Sequence, residues 1–189
     1  ETNHDLSYAR SPDLVNWERA DGGTITLPIK PDTEGTVVDP VPPGGGVING
    51  GATLFFDQKK QPLIAYMKYD TAGKSQLFLT RLSNGTWYSQ QISNWDYRWA
   101  FSGPGSIDFE IKIKNCYHNS NGAIIVPYYH VKKGDGELVV DEKTLKSIED
   151  RSIVKSATSD FPTTLLQPNS NIDSVSVRWL KAQTNDHNP

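Results

Sequence analysis

Apolar residues in this chain recur in short alternating runs, and Gly, Pro, Asn and Asp break the runs every few positions. β-Branched and aromatic residues fill the runs while helical spacing is almost absent, so the pattern predicts an all-β protein. The grammar is clearest between Gly50 and Ser93. Residues 52–56, 63–69, 76–81 and 87–92 are expected to form four strands, joined by 57–62, 70–74 and 83–86, each of hairpin-turn composition. Four short antiparallel strands in succession make one up-and-down sheet of propeller-blade size.

A second unit repeats the order. It runs through a strand at 106–114, a turn at Gly122, a strand at 124–130, a turn at 133–136, a strand at 137–140 and a weaker one at 152–155. Before these, 6–10 and a strand at Trp17 read as the last half of an earlier blade; after them, 175–180 reads as the first strand of a later one. The expected organisation is a single partial β-propeller: 1–48 the end of one blade and a connector, 49–105 a blade, 106–160 a blade, 161–189 the start of the next. Blades bury their faces only against neighbours, so an incomplete part of a larger ring, of about seven blades, is the expectation.

Composition narrows the chemistry. A hydrophobic content of 36% in 189 residues suffices for a core. A net charge of -3, with Lys and Arg scattered, gives no footprint for nucleic acid. No apolar run nears the roughly 20 residues of a membrane-spanning helix, and Glu1 to Asp5 do not read as a signal peptide, so a soluble protein or mature part is expected. The single cysteine, Cys116, can form no intrachain disulfide, and the four histidines show no metal-ligand spacing. Neither metal nor cofactor is expected. Gly44, Gly45 and Gly46 open no helix and read as a connector, not a phosphate loop.

The segment Ser11-Pro12-Asp13-Leu14-Val15-Asn16-Trp17 resembles a degenerate Asp-box, a turn of sialidase-type propellers whose polar side chains bond back to the hairpin backbone. A structural role is expected for Asp13. Four further stretches follow it in order: Asn49-Gly50-Gly51, residues 62–70, residues 73–81, and Trp95-Asp96-Tyr97-Arg98-Trp99 running on to Gly105. With His4 ahead of them, the chain resembles the BNR-repeat (BNR-4) propellers, a group that includes neuraminidase-like proteins and polysaccharide lyases of the ulvan lyase and rhamnosyl-glucuronate lyase types.

That resemblance implies a carbohydrate-active enzyme, most concretely a lyase that cleaves a uronate-containing polysaccharide by β-elimination. Such a reaction needs the uronate carboxylate neutralised, a base for the C5 proton and an acid for the leaving oxygen. Carried over by position, it implies His4 and Tyr66 as proton-transfer groups and Arg81 as the carboxylate partner. Each also has a plain structural reading: a solvated His4, a core Tyr66, a surface Arg81. Arg98, Tyr69 and His130 are candidates for substrate binding. A guanidinium flanked by aromatic rings suits a sugar carboxylate, although Arg98 could equally pair with Asp96 or Asp108, and His130 could be structural. His118 reads as a turn residue. A sialidase-like or other exo-glycosidase, and a non-catalytic glycan-binding propeller, stand as alternatives. A polysaccharide partner would imply a secreted or periplasmic location, with no nucleic-acid or membrane partner.

Overall fold

The computed structural model describes residues 3–102 and 106–153. Along the chain the strands are β1 (Leu6–Ser7), β2 (Trp17–Glu18), β3 (Thr24–Ile25), β4 (Val37–Asp39), β5 (Thr53–Phe56), β6 (Pro62–Tyr69), β7 (Ser75–Ser83), β8 (Thr86–Gln91), β9 (Ile111–Ile113), β10 (Tyr117–His118), β11 (Ile124–His130), β12 (Gly134–Val140) and β13 (Ser147–Ser152). The described residues contain no helix, and every strand pair is antiparallel. They form two small ribbons, β1 with β4 and β2 with β3, a four-stranded sheet β5-β6-β7-β8, and a five-stranded sheet β10-β11-β12-β13 with β9 also on β11. These sheets do not close on themselves. The expected strand at 175–180 and the division at 161–189 lie outside the described residues.

The β5–β8 sheet follows the expected strands closely because its turns are chemically explicit. Asp57 Oδ1 accepts the N–H groups of Lys59 and Gln61, Asp70 Oδ1 those of Ala72 and Lys74, and Asn84 and Gly85 both adopt positive φ at the tight β7–β8 hairpin. The register fixes which side chains share a face. Leu63, Ala65 and Met67 of β6 join Leu77 and Leu79 of β7 on one side, packed with Ile124, Val126, Tyr128, Leu138 and Val140 of the next sheet into one buried core. The opposite side, carrying Tyr66, Phe78 and Trp87, meets the N-terminal ribbons, where Tyr8 lies edge-on to Trp87 at 5.2 Å.

The second sheet departs from expectation in three places. The strand foreseen at 106–114 survives only as β9, and β10 supplies a second piece. The two pair with opposite ends of β11, Ile111 facing His130 and His118 facing Ile124, so the edge is split between them. His118 is therefore a strand residue beside the Asn119 turn. β12 begins three residues early, because Gly134 at positive φ closes the turn tightly and Gly136 leaves room for the Tyr128 ring, whose phenol carbon would stand 2.4 Å from any Cβ there. The fourth strand is β13 rather than 152–155; all six of its residues are exposed, so only backbone pairing with β12 reveals it.

At the Asp-box, Ser11 Oγ accepts the N–H of Leu14 at 2.8 Å, and Asp13 Oδ1 accepts those of Val15 and Asn16 at 2.9 and 2.7 Å. These backbone donors hold the Asp13 carboxyl down to about 2. Its role is local and structural, as expected. Two outcomes follow. The Asp13 carboxyl should titrate near about 2 by NMR, its stabilising effect complete above the ordinary carboxylate range and lost as pH falls toward that value, because the folded state binds its proton more weakly than the unfolded chain. In urea, Leu79→Ala, at a fully buried position between the sheets, should cost about 2–5 kcal/mol.

Candidate functional site

Two buried polar side chains at the start of β7 organise the surface where aromatic and cationic groups meet. Gln76 Oε1 accepts from Trp95 N at 2.9 Å and Ser93 Oγ at 2.7 Å, while its Nε2 donates to Trp95 O at 2.9 Å and Asp70 Oδ2 at 3.0 Å. Ser75 adds two more: its N–H donates to Tyr97 O at 2.7 Å and its Oγ accepts from Trp99 N at 2.9 Å. Segment 93–99, which has no strand partner, is thereby bonded to the end of β7.

This attachment carries Arg98 over the Tyr69 ring, 3.8 Å from its centroid, with Nη1 donating to Gly73 O at 2.6 Å. Asp96, offered by the sequence as a partner for Arg98, pairs instead with Lys74 at 2.6 Å. The Tyr69 hydroxyl donates to Trp99 O at 2.6 Å, and Gly46 passes so close to the ring that a Cβ there would stand 2.7 Å from it. Arg98, Tyr69, Lys68 and the stretch around Val41 line an open cleft of about 360 Å³. The two substrate-binding candidates Arg98 and Tyr69 are thus together.

Behind the cleft, Asp39 Oδ2 accepts both the Tyr66 hydroxyl and, at 2.5 Å, the Lys68 ammonium. Lys68 also stands 4.6 Å from the Phe78 ring centroid. Tyr66 is 1% exposed. Burial, and then the hydrogen bond to Asp39, push its hydroxyl well above the usual tyrosine range, so the phenol stays protonated and donates to the carboxylate. Neither Asp39 nor Lys68 was among the sequence candidates. The signal available was a lone carboxylate in the apolar run Val37-Val38-Asp39-Pro40, which nothing in the sequence ties to a tyrosine 27 positions on.

His4, 38% exposed in its side chain, bonds through Nδ1 to Asp5 Oδ2 at 2.8 Å. Asp5 is itself held to Val41, its N–H donating to Val41 O and its Oδ1 accepting Val41 N–H at 2.9 Å. His4 is therefore tethered to the chain segment that lines the cleft, with a carboxylate orienting its ring.

The structure does not bring Arg81 into this group. Leu63 faces Arg81 across β6 and β7 while Tyr66 faces Phe78, so Tyr66 and Arg81 project from opposite faces of one sheet. Arg81 donates to Glu142 O at 2.6 Å and Lys143 O at 3.1 Å, joining two sheets at a separate groove of about 1020 Å³. Cations and carboxylates both line it, and among the described residues no aromatic ring does. His130, the third binding candidate, is 1% exposed and lies in the inter-sheet seam, away from the cleft lining. The expected convergence of His4, Tyr66 and Arg81 is replaced by a grouping of Asp39, Tyr66, Lys68, Tyr69 and Arg98.

A family model described as BNR repeat-containing family member matches residues 1–95 of the 189. The chain belongs to this family. The BNR-repeat match spans β1 to β8, taking in the Asp-box, Asp39, Tyr66, Lys68, Tyr69 and Arg81, and ends at Trp95, three residues before Arg98. No curated protein matches the sequence significantly.

Gln76→Leu tests the attachment from which the cleft is built. It would leave the Trp95 N–H and Ser93 hydroxyl without their acceptor, and a loss of about 1–3 kcal/mol per orphaned group is expected in urea denaturation. An increase in hydrogen exchange confined to 93–99 should accompany it.

Proposed function

We propose that this BNR-repeat chain is part of a carbohydrate-active β-propeller that cleaves a uronate-containing polysaccharide by β-elimination, with its site at the Arg98–Tyr69 cleft. The observation that carries this reading is the Arg98 guanidinium standing 3.8 Å from the centroid of the Tyr69 ring beside an open cleft. Family membership supports the glycan class, and the face-to-face stacking of successive sheets supports the propeller. Leu54 and Phe56 on β5 remain exposed, as suits a blade whose neighbours are incomplete.

The chemistry follows from the groups at hand. One of the five N–H donors of Arg98 is committed to Gly73 O; a sugar carboxylate bound by others would have its charge offset, which acidifies the C5 proton. His4, with Nδ1 donating to Asp5, presents Nε2 as the base. As the C5–H bond breaks, its electrons form the C4–C5 double bond and the C4–O4 bond cleaves. The proton now on the imidazole returns to the departing O4 oxygen, so the ring ends the cycle neutral and the reaction balances. Tyr66 acts from behind, holding Asp39 and through it Lys68, and Arg98 takes the part that the family resemblance implies for Arg81. A substrate of this kind would be met outside the cytoplasm, in a secreted or periplasmic setting.

A glycan-binding protein without turnover is the second reading, favoured by the burial of Tyr66, which keeps that hydroxyl from any sugar. The two separate when the full chain is incubated with ulvan and a panel of glucuronate-containing polysaccharides. A rise in ultraviolet absorbance from the unsaturated uronate is expected, falling about 10²–10⁴-fold in His4→Ala. Binding without any rise across the panel would overturn the lyase reading and leave the second.

A further inference from the structure

The segment that carries Arg98 has a second side. Trp95 and Tyr97 turn toward the β9–β13 sheet, and the His130 ring stands between them, 4.8 Å from Trp95 and 4.9 Å from Tyr97 and steeply inclined to both. His130 ends β11. Its Nδ1 accepts the N–H of Lys132 at 3.0 Å, inside the turn that leads to Gly134. With Nδ1 acting as acceptor, the neutral ring carries its proton on Nε2, and Nε2 is buried without a hydrogen-bond partner among the described residues. A second proton would have to enter at Nδ1, against the Lys132 N–H, and would break that turn bond.

We propose that His130 is a pH-operated clasp on segment 93–99: neutral, its ring packs Trp95 and Tyr97 into the seam; protonated, it releases them and Arg98 loses its fixed place over Tyr69. The functional consequence rests on the cleft reading above, whereas the clasp itself rests on the seam. Gln76 and Ser75 hold one side of the segment and His130 the other, so the segment answers to both sheets.

The groups around the ring set the direction of its response. From its own turn comes Lys133, and from β13 comes Asp150, which accepts Lys133 Nζ at 3.3 Å, Trp95 Nε1 at 3.1 Å and the Tyr128 hydroxyl at 2.5 Å. From the stretch before β9 comes Glu110, bonded to the Tyr97 hydroxyl, while Lys112 and Asp135 pair opposite Tyr129 and so face the other side of the sheet. The two carboxylates favour a charged ring. Burial, followed by the Lys133 charge, outweighs them and holds His130 below the ordinary imidazole range. The unfolded chain then binds this proton more readily than the folded one. The stabilisation from neutral His130 is complete above the ordinary imidazole range and is lost as pH falls from there through the lowered value.

The test titrates the full chain from about pH 8 to about pH 5, following tryptophan emission and the His130 ring by imidazole NMR, with glucuronate-oligosaccharide binding measured in the same buffers. An emission change should share its midpoint with the His130 ring, lie below the ordinary histidine range, and vanish in His130→Phe, which keeps an aromatic ring but cannot titrate. Binding by the wild type should weaken about tenfold across that transition, equivalent to one pKa unit of coupling, and by less in His130→Phe. His4 is the same in both proteins, so the difference isolates His130. Flat emission while the ring titrates, or a transition that persists in His130→Phe, overturns the clasp. Should His130→Phe fail to fold, coincidence or separation of the wild-type midpoints decides. An emission transition with no glycan bound at any pH keeps the clasp and removes the cleft reading; tight binding with flat emission does the reverse.

Discussion

The side-chain amide of Gln76 is the constraint on which the candidate site depends. A buried amide has two donor and two acceptor positions, and leaving any unmet costs more than a typical hydrogen bond returns. Here Asp70 Oδ2, Trp95 O, Trp95 N and Ser93 Oγ meet them all. One side chain thus ties the β6–β7 hairpin to a segment with no strand of its own. Through that tie, Arg98 reaches Tyr69 on one side and Trp95 reaches the second sheet on the other. Apolar packing of Trp95 and Trp99 alone would keep the segment near the core without choosing its register.

The two sheets solve one recurring problem alike. Each buries a tyrosine on its first long strand, and each gives the hydroxyl to an aspartate that also takes a lysine: Tyr66 with Asp39 and Lys68, Tyr128 with Asp150 and Lys133. A phenol in a core needs an acceptor, and a carboxylate beside it needs a compensating charge. The solutions differ in where the acid comes from. Asp39 arrives from β4 in a separate ribbon and so ties that ribbon to the sheet, whereas Asp150 lies on the outer strand of the tyrosine's own sheet. The first pairing stands beside the cleft; the second closes around His130.

Arg81 shows how far a positional correspondence carries. It sits on the strand next to Tyr66, as its place in the sequence indicates, yet strand alternation sends the two side chains to opposite faces. Tyr66 lies three positions from Leu63, the residue opposite Arg81, and an odd offset reverses the face. The register decides this, and register follows from hairpin geometry and from which face finds a core.

The sequence alone determined the β class, the four strands of the β5–β8 sheet with their turns, and the Asp-box, because each depends on near neighbours: period-two alternation, positive-φ turn residues, and side chains that cap backbone within three positions. It also offered Arg98 as a binding candidate, from the aromatic residues that flank it. It could not show β13, whose residues carry no apolar period, nor the split first strand of the second sheet, whose pieces are defined by opposite ends of one partner. Only the tertiary structure decided that Asp39 meets Tyr66, that Arg81 turns away, and that His130 stands between Trp95 and Tyr97. Those contacts join residues from 27 to 61 positions apart, or hang on the face a strand presents, and both are fixed when sheets pack rather than when strands form.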